Sequence, residues 1–238
     1  PPREPAGAAD NIIHQLERRG LTWDREVLFQ SKRIEAYNSA LMKLAAEGLC
    51  FKCTCSRQDV RSMKEGYNGK CRSNGLSARE LQYPISKHHS TSIRIRTDPK
   101  KVRFEDALLG SFSSRLSESG GDFIIRRKDG MIAYQLAVVI DDAWQGVTNI
   151  VRGADLLSST PKQRYLQTVL GLSQPTYTHI PIVTDTNGTK LSKQAFARAI
   201  DTEDTFPLIF QALLLLGQTP PKRKFSRSPD SLLSWAIE

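Results

Sequence analysis

Thr184-Asp185-Thr186-Asn187-Gly188-Thr189-Lys190-Leu191-Ser192-Lys193-Gln194 lies between a short apolar run, Ile180 to Val183, and a helical tail. Asp185, Asn187 and Gly188 are turn residues, so the stretch reads as a flexible loop leaving a strand. Lys190 and Lys193 stand three apart in it. Two ammonium groups at that spacing can gather round a triphosphate and act as charge develops on the phosphates. An exposed hairpin with solvated lysines has the same sequence, and four residues recur by chance. The loop acquires meaning only from what precedes it.

Upstream, strand and helix patterns alternate. Ala8 to Arg18 has helical spacing, with Ile12, Ile13 and Leu16 apolar and Gly20 as a stop. Ser31 is expected to cap a second helix that runs through Leu41 and Leu44 to Gly48. Residues 66–92 read as a polar, loop-rich segment. Ser92 to Arg96 alternates as a strand does, and Val102 to Phe104 is expected to pair with it. Ser111 to Gly121 reads as a Ser/Gly-rich loop, Asp122 to Arg127 as a strand, and Lys128 to Gly130 as a turn. Met131 to Asp142 suits a strand or a buried helix, and periodicity does not choose. Asn149 to Val151 reads as a strand, and Thr160 to Gly171 as a helix with Pro161 in its first turn. Leu208 to Leu216 is helical, residues 218–230 form a basic Pro-containing linker, and Ser231 starts a last helix. The alternation points to an α/β body with the cysteine segment inserted in it.

The chain has 238 residues, 39% of them hydrophobic and 25% charged, within the range of globular domains. No run approaches the length of a membrane-spanning helix. The net charge of +9 favours a polyanionic partner without identifying one. The chain opens on Pro1-Pro2-Arg3-Glu4-Pro5 and stops inside an apolar pattern, so both ends are read as cuts in a longer protein.

All four cysteines lie between residues 50 and 71. Such clustering, without a signal peptide, fits a reducing compartment and a metal rather than a disulfide framework. Cys53, Cys55 and Cys71 can fill three corners of a tetrahedral zinc site. Tyr67 is suitably placed as a fourth ligand; His88 and His89 are better ligands chemically but lie further along the chain. Cys50, between Leu49 and Phe51, reads as core.

Four segments precede the lysine loop in order: Ala133-Tyr134-Gln135-Leu136-Ala137-Val138-Val139-Ile140-Asp141-Asp142, Ile150-Val151-Arg152-Gly153-Ala154-Asp155-Leu156, Thr160-Pro161-Lys162-Gln163 and Thr178-His179-Ile180-Pro181. In this order, and at this distance from the loop, they resemble the catalytic domain of the glutamyl-tRNA synthetase family of class I aminoacyl-tRNA synthetases. The resemblance covers essentially the whole chain. Arg152-Gly153-Ala154-Asp155, Trp144-Gln145-Gly146-Val147-Thr148 and Gln194 are similar to a short branch of that family without an anticodon-binding domain.

The resemblance implies a Rossmann-like α/β catalytic domain, incomplete at the N-terminus, with a zinc-bearing insertion and a helical C-terminal extension. It divides the chain into 1–49 (remainder of the nucleotide-binding fold), 50–127 (zinc-bearing, acceptor-type insertion), 128–200 (second half of the catalytic fold) and 201–238 (helical extension). It implies glutamate activation by ATP, with Mg2+, and transfer of the glutamyl group to the queuosine base of the tRNA(Asp) anticodon. Arg152 and Tyr134 are implied as glutamate ligands, Lys193, Lys190 and Ser192 as ATP ligands with the two lysines catalytic, and Cys53, Cys55, Tyr67 and Cys71 as the zinc site, choosing the tyrosine over the histidines. Read without the resemblance, Arg152 is a structural ion pair with Asp155 or Asp142, and Tyr134 a core aromatic. The family's first strand, its HIGH-like ATP motif and the following acidic strand are absent from these residues, so the reaction is expected of the parent chain. A cytoplasmic monomer without membrane attachment is expected.

Two other functions fit less of the sequence. A piece of an ordinary glutamyl-tRNA synthetase would continue into a helical anticodon domain, against which the basic linker and short last helix argue. A non-catalytic zinc-bearing RNA-binding module would bind RNA without ATP. A structural α/β protein with a zinc staple leaves the ordered motifs unexplained.

Overall fold

The computed structural model describes residues 5–63, 66–82, 91–191, 200, 204–220 and 228–238. The chain forms two compact units, one of Pro1–Leu28 with Val183–Glu238 and the other of Phe29–Ile182. The first unit opens with helix α1 (Ala8–Glu17), which Gly7 enters through a left-handed φ of 74°.

The second unit begins with a 3-10 turn, Gln30–Lys32, and helix α2 (Ile34–Ala46). Tyr37, Ala40, Leu41, Leu44 and Ala45 are buried along α2, the i, i+3, i+4, i+7, i+8 stripe of a helix with one face inward. Ser31 does not cap it. The serine falls inside the 3-10 turn, and the N-cap position is Arg33, without a side-chain capping bond. Strand β1 (Cys50–Cys53), α3 (Arg57–Arg61), α4 (Ala78–Gln82), β2 (Ser92–Ile95), β3 (Lys101–Asp106), β4 (Gly110–Arg115), β5 (Ile124–Arg126), α5 (Tyr134–Gln145), β6 (Asn149–Gly153), α6 (Thr160–Leu170) and β7 (Thr176–Ile180) follow.

Among the described residues seven strands make two sheets, in the orders β1-β2-β5 and β4-β3-β7-β6. The first is antiparallel, with Cys50 opposite Ile95 and Cys53 opposite Ser92. In the second, β3 runs antiparallel to β4 and parallel to β7, and β7 parallel to β6. Strands β6 and β7 with α6 between them form a parallel crossover unit. One hydrophobic core joins α2, the first sheet, α5 and α6 through Leu44, Ile93, Ile95, Ile125, Leu136 and Leu166. Cys50 belongs to this core, as expected, and burial pushes its thiol up to about 12.

Three further expectations are corrected. Val102 to Phe104 does not pair with β2; it lies in β3, between β4 and β7. Ser111 to Gly121 contains a strand, β4, and a 3-10 turn, because Phe112 stacks on Phe104 at 5.2 Å and pins an otherwise polar edge. The strand expected at Ile180 to Val183 lies earlier, at Thr176–Ile180, with Tyr177 and His179 inward. The undecided segment from Met131 is helix α5 from Tyr134 on, closed by Gly146 at φ 69°.

In the first unit, helices α7 (Thr205–Leu215) and α8 (Pro229–Ile237) pack Ile209, Leu213 and Leu232 together. Asp204 caps α7 by accepting a bond from the Phe206 N–H. No helix among the described residues is long and apolar enough to cross a membrane.

Candidate functional site

Arg152 lies on β6 directly opposite His179 of the parallel strand β7. Its Nε donates to His179 Nε2 at 3.1 Å, and Nη2 donates to the Thr160 hydroxyl at 2.8 Å. The guanidinium sits 5.3 Å from the ring of Tyr177. Among the described residues no acceptor bonds Nη1, so one edge of the planar fork is left for a carboxylate.

His179 is fully buried. Its Nδ1 lies 2.6 Å from Asp106 Oδ2 on β3. Arginine has only donors, so Nε2 must accept, and the proton sits on Nδ1, donated to Asp106. Asp106 also accepts from the backbone N–H groups of His179, Leu108 and Leu109. Burial alone would raise this carboxyl, but the bonds from His179, Leu109 and Leu108 outweigh it and hold the carboxyl down at about 2.

Tyr134 is the first residue of α5 and is 47% exposed, so it is not a core aromatic. Its neighbour Gln135 donates to the Ser159 hydroxyl at 2.9 Å and accepts from Gln163 at 3.0 Å. Ser159 and Gln163 flank Thr160, the partner of Arg152, so Gln135 ties the first turn of α5 to the first turn of α6. The other end of α5 is anchored by buried Asp141, which accepts from Gln30, Arg33 and Tyr37. Next to it, burial raises the Asp142 carboxyl, and the charge of Arg152 opposes the rise.

Lys190 belongs to the other compact unit. It forms an isolated bridge with Thr184, and the Leu191 N–H donates to the Val183 carbonyl at 2.9 Å. The Asp185 carboxylate accepts from the N–H groups of Asn187 and Thr189, each at 2.9 Å, which closes the turn. Gly188 sits at φ 78°, where a side chain would be strained. Ser192 and Lys193 lie outside the described residues.

The sulfurs of Cys53, Cys55 and Cys71 lie within 4.8 Å of one another. Cys55 Sγ and Cys71 Sγ are 3.6 Å apart, too far for a disulfide and close to the roughly 3.8 Å that a tetrahedral zinc with Zn–S near 2.3 Å imposes. Tyr67 Oη accepts from the Cys71 N–H at 2.7 Å. Arg94 stacks 4.0 Å over the Tyr67 ring and donates Nε to Cys53 Sγ at 3.2 Å. Burial would raise the Cys71 thiol, yet hydrogen bonds from Thr54, Tyr67, Cys55 and Cys53 bring it down to about 6, while burial and its sulfur neighbours push Cys55 up to about 11. A low thiol among soft donors backed by N–H···S bonds suits a divalent cation that prefers sulfur. His88 and His89 lie outside the described residues.

His179, Asp106 and Thr160 carry the Arg152 geometry, yet the sequence singled them out for no role. Thr160 and His179 stand in quoted segments, and only the register of three strands shows what they hold.

Residues 1–228 match the family model described as tRNA synthetases class I (E and Q), catalytic domain. A "Glutamyl-Q tRNA(Asp) synthetase" of Pseudomonas syringae pv. tomato is 45% identical over 237 residues, 100% of this chain and 77% of the relative. One of Pseudomonas entomophila is 46% identical over 236 residues, with 99% and 77% covered. Among solved structures, a glutamate-tRNA synthetase of Elizabethkingia anophelis superposes with a TM-score of 0.64 at 20% identity. That likeness covers 81% of this chain and 43% of the solved one, and it concerns the fold alone. The chain therefore belongs to the class I tRNA synthetase family of the E and Q type, with the glutamyl-Q tRNA(Asp) synthetases, and is a ligase.

Proposed function

We propose that the protein activates glutamate with ATP and transfers the glutamyl group to the queuosine base of tRNA(Asp). A glutamate carboxylate attacks the α-phosphorus of ATP, the bond to pyrophosphate breaks, and a glutamyl-adenylate forms. A nucleophile of the queuosine base then attacks the acyl carbon, and AMP leaves. The observation that carries this reading is Arg152, a guanidinium held on two of its nitrogens with Nη1 unengaged among the described residues. A planar charged fork suits a carboxylate substrate. Tyr134, exposed at the start of α5, is assigned to orient the glutamate through its hydroxyl. Lys193, Lys190 and Ser192 are assigned to the ATP phosphates, with Mg2+ accompanying the nucleotide and the lysines stabilising charge on the leaving pyrophosphate. The acceptor follows that of the glutamyl-Q tRNA(Asp) synthetases the chain resembles, since no residue here reads a nucleobase by its spacing.

Cys53, Cys55, Cys71 and Tyr67 would hold a zinc ion that ties β1 to the loop before α4. The proposed division of labour keeps 1–49 and 128–200 as the two parts of a Rossmann-like nucleotide-binding fold, 50–127 as the zinc-bearing, acceptor-type insertion, and 201–238 as a helical extension. The protein is proposed to act in the cytoplasm as a monomer. The test is glutamate-dependent ATP–pyrophosphate exchange by the full-length protein without tRNA, followed by transfer of labelled glutamate to tRNA(Asp) with and without queuosine. Exchange without tRNA, and transfer only to the modified tRNA, is the expected outcome. Exchange that requires tRNA would instead favour an ordinary glutamyl-tRNA synthetase.

A further inference from the structure

Asp106, His179, Arg152 and Thr160 form one hydrogen-bonded path across three adjacent strands, from β3 through β7 to β6, ending at the first turn of α6. Asp106, His179 and Thr160 are buried, and Arg152 is half-buried. Each link has a fixed direction. The Leu108 and Leu109 N–H groups point at Asp106 Oδ1, at 3.1 Å and 2.9 Å, while Oδ2 takes the His179 Nδ1 proton at 2.6 Å and the His179 backbone N–H at 3.1 Å. With Nδ1 protonated, Nε2 presents a lone pair to Arg152 Nε, 3.1 Å away. The Thr160 hydroxyl accepts from Nη2 at 2.8 Å and lies 3.2 Å from Nε2, in reach to give its own proton there. Arg152 is thus held along its Nε–Nη2 edge, and Nη1 is aimed by that grip.

We infer that Asp106 and His179 are positioning residues for the substrate carboxylate: the buried carboxylate selects the imidazole tautomer whose lone pair sets the direction of the Arg152 fork. The inference rests on the proposed reading of Arg152 as a glutamate ligand and extends it to two residues that need not touch substrate. A positioned guanidinium keeps its rotamer before ligand arrives, so less freedom is lost on binding. Removing the tautomer control therefore weakens glutamate binding and leaves ATP binding alone.

Asp106→Asn is the sharpest variant because it replaces one oxygen by NH2 without change of shape. The Leu108 and Leu109 N–H groups keep the amide oxygen at the Oδ1 position, which the His179 backbone N–H also reaches, at 3.3 Å, so the NH2 falls opposite His179 Nδ1. Nδ1 must then accept, the ring proton moves to Nε2, and an N–H faces the Arg152 N–H. The expected result in the full-length protein is a rise of about tenfold or more in the glutamate KM for ATP–pyrophosphate exchange. The kcat and the ATP KM change less than about threefold, and 15N NMR shows the His179 proton moved from Nδ1 to Nε2. His179→Gln, whose amide oxygen can replace Nε2 as acceptor, recovers part of the glutamate affinity that His179→Ala loses. A folded Asp106→Asn protein with an unchanged glutamate KM overturns the inference. So does a loss shared equally by glutamate, ATP and kcat, since that marks a general structural defect. If Asp106→Asn does not fold, Thr160→Val, which removes the second grip on Arg152, must raise the glutamate KM alone or the inference fails. Wild-type protein without glutamate-dependent exchange would instead defeat the proposed function itself.

Discussion

Arg152 could have been an internal ion pair, and the structure gives it neutral partners, an imidazole and a hydroxyl, at 3.1 Å and 2.8 Å. Neutral hydrogen-bond partners orient a guanidinium without forming an ion pair with it, and the nearby Asp142 carboxyl, which burial raises, interacts with it only through space. Arg152→Lys keeps the charge and loses the fork, because an ammonium group cannot bond His179, Thr160 and a carboxylate in one plane. The glutamate KM should rise about tenfold to hundredfold, the loss of roughly 1.5–3 kcal/mol that a charged hydrogen bond contributes; a KM within twofold of wild type would remove Arg152 from the site. Asp106 makes a pH prediction at the same scale. Its carboxyl is held at about 2, below the ordinary 3.8, so its charged form contributes stability that is fully present above about pH 4. That contribution is lost as pH falls from about 4 through 2. Asp106→Asn, which cannot ionise, should therefore unfold with a flatter acid limb, read by the urea midpoint between pH 2 and 5. Parallel limbs for the two proteins would contradict the assignment.

At the scale of elements, legibility followed how much each segment relies on its own sequence. Helix α2 was plain because its buried stripe repeats within thirteen residues, and α6 because Pro161 and Gly171 mark its ends. Strand β4 was not, since Ser111, Ser113 and Ser114 look like loop and what makes it a strand is its antiparallel ladder with β3, with Phe112 stacked on Phe104. Met131 to Asp142 was undecidable by pattern; Asp141 on α5 is fixed by Gln30, Arg33 and Tyr37, more than a hundred residues earlier in the chain. The site divides the same way. Arg152, Tyr134 and the cysteines stand in recognisable local segments, whereas Asp106 and His179 are 73 residues apart and meet only through a parallel register. The cysteine cluster was legible from spacing, but Arg94, which bonds Cys53 and covers Tyr67, comes from β2 and was not. If the cluster holds β1 to its loop through a metal, the isolated protein should contain close to one zinc per chain. Stripping it with a chelator should lower Tm by on the order of 10 °C, and Cys71→Ser should reproduce the loss. A protein free of zinc with an unchanged Tm after chelation would rule the metal out.

For the molecule as a whole, 34 lysines and arginines against 25 acidic residues give a net charge of +9. Within the second unit many of the described cations already have internal partners. Arg33 pairs with Asp141, Arg72 with Asp122, Lys52 with Glu80, and Arg94 and Arg96 donate to backbone carbonyls. Those charges are structural, and they explain why a basic composition alone is weak evidence for a nucleic-acid partner. The proposed RNA partner is therefore engaged by only part of the cations. Binding of a queuosine-containing tRNA(Asp) anticodon stem-loop should fall with salt along a log–log slope of about −2 to −4, as three to five phosphate contacts give in single-stranded or looped RNA. Between 50 and 200 mM salt this is a loss of roughly 15-fold to 250-fold in affinity. The same titration with the unmodified stem-loop should have the same slope and a lower intercept, because phosphate contacts position the RNA while contacts to the modified base supply the difference. A slope near zero would mean that the surface charge does not serve RNA. Different slopes for the two RNAs would mean that the modification changes the docking of the RNA backbone as well as the contacts to the base.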